Sequence, residues 1–311
     1  MKKVFMFSGQ GSQYVGMGKE LYDNYEEARL IFDKADSVLG YSITNIIFND
    51  EEKLNDTLYT QVAMFTLYAA ILEVLKNHKV NAEYSIGLSL GEYGAMYNNQ
   101  VFDFETGLKI LQKRGQYMYE ASLNVKGKMS AILGLDSSIL EEIVNNASEY
   151  VKIANYNTYG QLVISGTEKA VLEVNEEALK RGAKRAILLN TSGPFHTDLM
   201  KEASMKFKQY LSEVKLAEPA GELLINVTGD FYKSDILDSM VNQITSSVLF
   251  YQMIEKLIDD GATTFIEIGP KKTLCSFVKK INRKLDIYNV EDMASLDKLL
   301  SFLKEEYYGF V

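Results

Sequence analysis

The 311-residue chain contains one cysteine, Cys275. An intramolecular disulfide is therefore impossible, and cysteine-rich zinc sites are excluded. Three prolines rule out Pro-rich and collagen-like architectures. There are two histidines, His78 and His196, so any catalytic imidazole is one of them. No stretch approaches the ~20 apolar residues expected of a membrane span. The N-terminus carries two lysines and an apolar run of only four residues, whereas a secretory signal needs roughly 7–15. These absences predict a cytoplasmic protein with no membrane contact. Positive charge is also in deficit: 33 Lys and Arg against 42 Asp and Glu leave a net charge of −9. Long-range repulsion from phosphates then argues against a nucleic-acid partner.

What is present is globular. Apolar residues make up 47% of the chain, and at this length they can form a core without metal or disulfide. Length alone predicts about two domains. Residues 4–7 and 84–87 read as buried strands. Residues 61–75 read as a helix with Val62, Phe65, Ala69 and Leu72 on one face. A further helix is predicted over 104–121. Alternating strands and helices indicate an α/β fold with a mostly parallel sheet.

The middle of the chain follows another plan. Strands are predicted at 129–133, 151–154, 162–165 and 184–189, with helices at 137–147 (opened by a serine cap) and 167–181. This βαββαβ order is that of a ferredoxin-like unit. The expected organisation is a small subdomain at 125–190 inserted into a large domain made of 1–124 and 191–311. In the second part of the large domain, helices at 199–214, 234–246 and 272–283 alternate with strands at 223–227 and 263–268.

Gly87-Leu88-Ser89-Leu90-Gly91 fits G-x-S-x-G between a strand and a helix, the context of a nucleophile elbow. The glycines permit a sharp turn, the serine hydroxyl stands out above the sheet, and Leu90 N–H faces the place where an oxyanion would form. The plainer reading is a structural turn with Ser89 as a helix cap. A serine nucleophile needs a base. His196 lies in a strand-to-helix loop, Thr191-Ser192-Gly193-Pro194-Phe195-His196, where catalytic groups gather. His78 ends a helix and reads as a solvated residue favoured by the helix dipole. No acid announces itself as a third member. Asp198 is close in sequence but can equally start the next helix, and a backbone carbonyl could orient the imidazole instead.

The turn Gly9-Gln10-Gly11-Ser12-Gln13 follows the first strand but fails G-x-G-x-x-G at Tyr14. Its better use is to supply Gln10 N–H to an oxyanion hole. Composition alone makes Arg114 a solvated arginine; buried, it would bind a carboxylate bidentately. Lys271, Lys272, Lys279, Lys280, Arg283 and Lys284 follow one another without an intervening acid. They form either a solvated helix face or a dock for an acidic partner or a phosphate-bearing ligand, and Lys184-Arg185 is a second basic candidate.

Together these residues resemble the malonyl-CoA:acyl carrier protein transacylase family over nearly the whole chain. The resemblance is carried by Phe7-Ser8-Gly9-Gln10-Gly11-Ser12-Gln13, Gly87-Leu88-Ser89-Leu90-Gly91-Glu92-Tyr93 and Lys113-Arg114-Gly115. It continues through Asn155-Tyr156-Asn157 with Gly160-Gln161, Pro194-Phe195-His196 with Leu199-Met200, and Glu267-Ile268-Gly269-Pro270. It implies an α/β-hydrolase-like core with a parallel sheet plus an inserted ferredoxin-like subdomain.

The resemblance also implies ping-pong transfer of malonyl from malonyl-CoA to the phosphopantetheine thiol of acyl carrier protein, for fatty acid biosynthesis. Ser89 would be the nucleophile and His196 its base. Gln10 and Leu90 would form the oxyanion hole. Arg114 would hold the malonyl carboxylate, with Asn157 and Gln161 supporting the pocket. No cofactor is implied, because phosphopantetheine belongs to the partner, and one chain carrying the whole site predicts a monomer. Two positions depart from the family pattern. Leu88 stands where the family has histidine. Ser246-Ser247-Val248-Leu249 stands for Asn-Pro-Val-Gln, which implies that the Leu249 carbonyl orients His196. A trans-acting acyltransferase of a polyketide or polyunsaturated lipid assembly line, a serine esterase or thioesterase, and a non-enzymatic carrier-binding module remain as alternatives.

Overall fold

The computed structural model describes residues 1–308; residues 309–311, the end of the predicted large domain, lie outside the described residues. The described residues form ten strands: β1 (Lys2–Phe7), β2 (Tyr84–Gly87), β3 (Gly127–Leu133), β4 (Val151–Thr158), β5 (Gln161–Thr167), β6 (Arg185–Leu188), β7 (Glu222–Ile225), β8 (Asp230–Phe231), β9 (Ala262–Ile268) and β10 (Asp286–Val290). The chain forms two compact units. One comprises Met1–Gln112, Ala217–Leu223 and the described residues from Leu257 onward, and the other Lys113–Leu216 with Leu224–Lys256.

In the first unit β10, β9, β1, β2 and β7 lie side by side in that order, and every pairing is parallel. A parallel strand covered on both faces reads as an apolar run instead of an alternation, which is why Val4-Phe5-Met6-Phe7, all buried, announced β1. Helix Thr57–Asn77 is capped by Asp56, whose side chain accepts from Leu58 N. By length and composition this helix could cross a membrane, contrary to the expectation from sequence. Thr60, Gln61 and Thr66 interrupt its apolar run. All three are buried, and the Thr60 and Thr66 hydroxyls donate to carbonyls of Leu54 and Val62. With 83% of its apolar window buried, it is a core helix.

The second unit contains a four-stranded antiparallel sheet in the order β4-β5-β3-β6. Helices Ser137–Asn145 and Glu168–Lys180 pack Leu140, Ile143, Val171 and Val174 against Ile132, Ile153, Leu162 and Ile164. The chain order is βαββαβ. The first of these helices is capped by Asp136, which accepts from Ser138 N at 2.9 Å, and not by a serine. The segment after helix Ile236–Gln243 runs along β4. Tyr156 N donates to Val248 O at 2.9 Å, Val248 N to Ala154 O at 2.8 Å, and Ser247 Oγ to Ile153 O at 2.6 Å.

Candidate active site

Gly87-Leu88-Ser89-Leu90-Gly91 forms the turn between β2 and helix Gly91–Asn98. Ser89 sits at φ 52°, a left-handed conformation that costs a non-glycine residue of order 1 kcal/mol and clusters at functional sites. The turn demands its glycines. A Cβ on Gly87 would lie 2.0 Å from the Gly91 carbonyl carbon, and one on Gly91 would lie 2.0 Å from Phe7 O. Glu92 N donates to Ser89 O at 3.0 Å, closing the first helical turn. Leu90 N–H precedes the helix's own hydrogen-bond ladder, at its positive end.

The loop after β1 packs on this elbow, and a Cβ on Gly9 would meet Leu88 O at 2.8 Å. The Gln10 carboxamide donates to Thr57 Oγ1 at 3.0 Å. A contribution of Gln10 to an oxyanion hole therefore falls to its backbone N–H.

His196 belongs to the second unit. It too has a left-handed backbone, φ 60°, and is 3% exposed. Its Nδ1 lies 2.9 Å from Gln243 O. A carbonyl oxygen only accepts, so Nδ1 carries the proton and Nε2 keeps its lone pair. Burial pushes the imidazole from 6.5 down to about 4, assisted by the charges of Arg114 and Lys152, while backbone hydrogen bonds at Gln243 and Ser246 oppose the shift. The ring is thus a neutral base throughout the physiological range. Asp198 is turned elsewhere: its carboxylate accepts from the Tyr150 hydroxyl at 2.9 Å.

The orienting carbonyl is that of Gln243, not Leu249. Gln243 is the last residue of helix Ile236–Gln243, and the last carbonyls of a helix have no partner within it. The Leu249 carbonyl instead accepts from Met253 N at 3.2 Å. Sequence reasoning missed Gln243 altogether. One signal was available: Ile236, Met240 and Gln243 fall at helical spacing on a buried face, and the last of them is polar.

Arg114, read from composition as solvated, is 1% exposed. Its Nη2 donates to Gln243 Oε1 at 2.9 Å. One residue thus holds the guanidinium with its side chain and the imidazole with its main chain. Asn157 is buried near the β4–β5 turn, and its Oδ1 has no hydrogen-bond partner among the described residues. Gln161 pairs with Thr158 across that turn. Lys152, also overlooked, donates to Thr245 O at 3.2 Å. His78 is exposed at the end of helix Thr57–Asn77, edge-on to Tyr25. Lys271, Lys272, Lys279, Lys280, Arg283 and Lys284 are all exposed.

Residues 4–303 match the acyl transferase domain family. The chain is 41% identical to malonyl CoA-acyl carrier protein transacylase of Bacillus subtilis (strain 168), with 98% of each chain covered. It superposes on the crystal structure of malonyl CoA-acyl carrier protein transacylase from Clostridium perfringens ATCC 13124 with a TM-score of 0.95, at 41% identity, covering 99% of this chain and 98% of that one. It also superposes with a TM-score of 0.94 on a malonyl-transacylase in complex with its type II PKS acyl-carrier protein, at 31% identity over 97% and 99% of the two chains. A family match over residues 4–303, together with 41% identity over nearly the full length, makes this chain a member of the acyl transferase family and, within it, of the malonyl CoA-acyl carrier protein transacylases.

Proposed function

We propose that the protein transfers the malonyl group from malonyl-CoA to the phosphopantetheine thiol of acyl carrier protein, in fatty acid biosynthesis, by a ping-pong mechanism. Ser89 Oγ attacks the thioester carbonyl as its proton passes to Nε2 of His196. Gln10 N–H and Leu90 N–H receive the oxyanion. Coenzyme A leaves as the thiolate and takes the proton from His196. The carrier's thiol then gives its proton to the same nitrogen and attacks the malonyl-serine ester, and Ser89 recovers its proton. Arg114 pairs with the malonyl carboxylate through a bidentate contact, with Asn157 and Gln161 lining the pocket. No step needs a cofactor. The reading places residues 125–190 as the inserted ferredoxin-like subdomain, 1–124 and 191–311 as its host, and the enzyme in the cytoplasm as a monomer.

The observation that carries this reading is the buried pairing of Arg114 with Gln243 beside a neutral, backbone-oriented His196. A hydrolase acting on neutral acyl groups has no need of a buried guanidinium there, whereas a transferase selecting a carboxylate does. Initial-rate kinetics test it. Double-reciprocal plots with malonyl-CoA and holo acyl carrier protein varied together give parallel lines for a ping-pong transfer. Intersecting lines would reject the acyl-enzyme.

A further inference from the structure

We propose that the substrate's carboxylate does more than dock: by pairing with Arg114 it makes His196 a stronger base, so that the catalytic imidazole is fully activated only when an acidic acyl group is bound. This rests on the reading of Arg114 as the carboxylate's partner.

The argument starts from geometry. Gln243 Oε1 accepts from Arg114 Nη2, and Gln243 O holds His196 Nδ1, both at 2.9 Å. The cation and the ring are thus fixed to one residue, and both are buried. Charges in such surroundings are weakly screened and act strongly on one another. Two cations act on the ring's charge. Arg114 comes from helix Phe104–Leu123 and Lys152 from β4. The stretch from Gln243 to Ser246 presents backbone groups. On the ring's own loop Asp198 is turned to Tyr150, and on helix Ile236–Gln243 Asp238 pairs with Lys208 at the surface. Both cations disfavour the imidazolium. An anion on Arg114 cancels one of them, and a nearby charge of this kind moves a titration by roughly one unit or more. Catalytic efficiency of a base improves as its proton affinity approaches the working pH. An acetyl donor leaves the repulsion in place. Discrimination then appears in the acylation rate as well as in binding.

The two histidines make the test direct. The full-length chain with Ser89→Ala, which cannot be acylated, is labelled with ¹⁵N-histidine and titrated by NMR alone, with malonyl-CoA and with acetyl-CoA. Donor affinities are measured by calorimetry on the same samples. The expected result is an upward move of the His196 titration by about one unit with malonyl-CoA only, with His78 unmoved. Tighter binding of malonyl-CoA without that move overturns the proposal and leaves carboxylate recognition standing. Equal affinities and no move overturn both. Gln243→Glu gives a second route, because it puts a permanent carboxylate beside Arg114. It should raise the His196 titration without any donor and shift the malonyl-to-acetyl ratio of kcat/KM at least ~10-fold towards acetyl. A folded Gln243→Glu protein with an unshifted His196, or with equal losses for both donors, contradicts the coupling.

Discussion

The carbonyl oxygen of Gln243 lies 2.9 Å from Nδ1 of His196 and fixes the imidazole in the tautomer that leaves Nε2 basic. A neutral main-chain group does here what a carboxylate does in a serine triad. It sets orientation and tautomer but adds no negative charge to favour an imidazolium. The depressed titration of His196 is consistent with that trade.

Arg114→Ala should lower malonyl kcat/KM by 10²-fold or more, in the range expected for loss of a charged contact in a buried site, and should raise acetyl transfer relative to malonyl. Competition between the two donors for the same enzyme measures the ratio. An unchanged ratio would remove Arg114 from the pocket.

Acid should destabilise the protein through His196. Its folded titration near 4 lies below the ordinary 6.5, so the unfolded chain binds the proton first. The contribution is intact above pH 6.5 and is lost as pH falls from there towards 4, to roughly 3 kcal/mol. His196→Ala should abolish this part of the slope in urea titrations, together with acylation at neutral pH. Full activity in that variant would sink the base assignment.

Glu267 acts in the opposite sense. It lies at the end of β9 and accepts from Leu274 N at 3.1 Å and Cys275 N at 2.8 Å, capping helix Thr273–Ile281. Burial still pushes its carboxyl up to about 7, against those two hydrogen bonds. The folded protein therefore keeps a proton that the unfolded chain releases, and stability falls as pH rises from 4.5 to about 7, by roughly 3 kcal/mol. In the wild type this slope masks that of His196. In Glu267→Gln, stability should climb with pH over the same window; a flat profile would contradict the His196 assignment.

The exposed basic stretch after β9 is a candidate dock for an acidic carrier protein. Reversing Lys279, Arg283 and Lys284 to glutamate should raise KM for the carrier several-fold and leave KM for malonyl-CoA unchanged. If both rise together, the stretch is no dock.

Legibility in the sequence followed the kind of group that does the work. Ser89 could be found because its turn admits only glycine at positions 87 and 91, and glycine spacing is visible. His196 could be found by scarcity. Gln243 could not, because the atom that holds the imidazole is a carbonyl every residue has; aligning by side chain pointed to Leu249. Arg114 sits in the helical stretch Gln112-Lys113-Arg114-Gly115-Gln116, whose composition reads as solvated, and only packing shows it buried. Among the strands, the apolar runs of β1, β2 and β9 were legible. The edge strand β10, Asp-Ile-Tyr-Asn-Val, mixes polar and apolar residues and was missed, as was the two-residue β8. Helix Thr57–Asn77 shows the converse: its hydroxyls hid how apolar it is, because they turn back onto carbonyls in the core.

The most direct test of the central claim is the intact mass of the protein after brief mixing with malonyl-CoA, with acetyl-CoA and Ser89→Ala in parallel. The account predicts one malonyl group on the wild type, none on Ser89→Ala, little from acetyl-CoA, and complete loss of the adduct when holo acyl carrier protein is added. Malonyl-CoA consumed without an adduct, or an adduct that persists in Ser89→Ala, would contradict it.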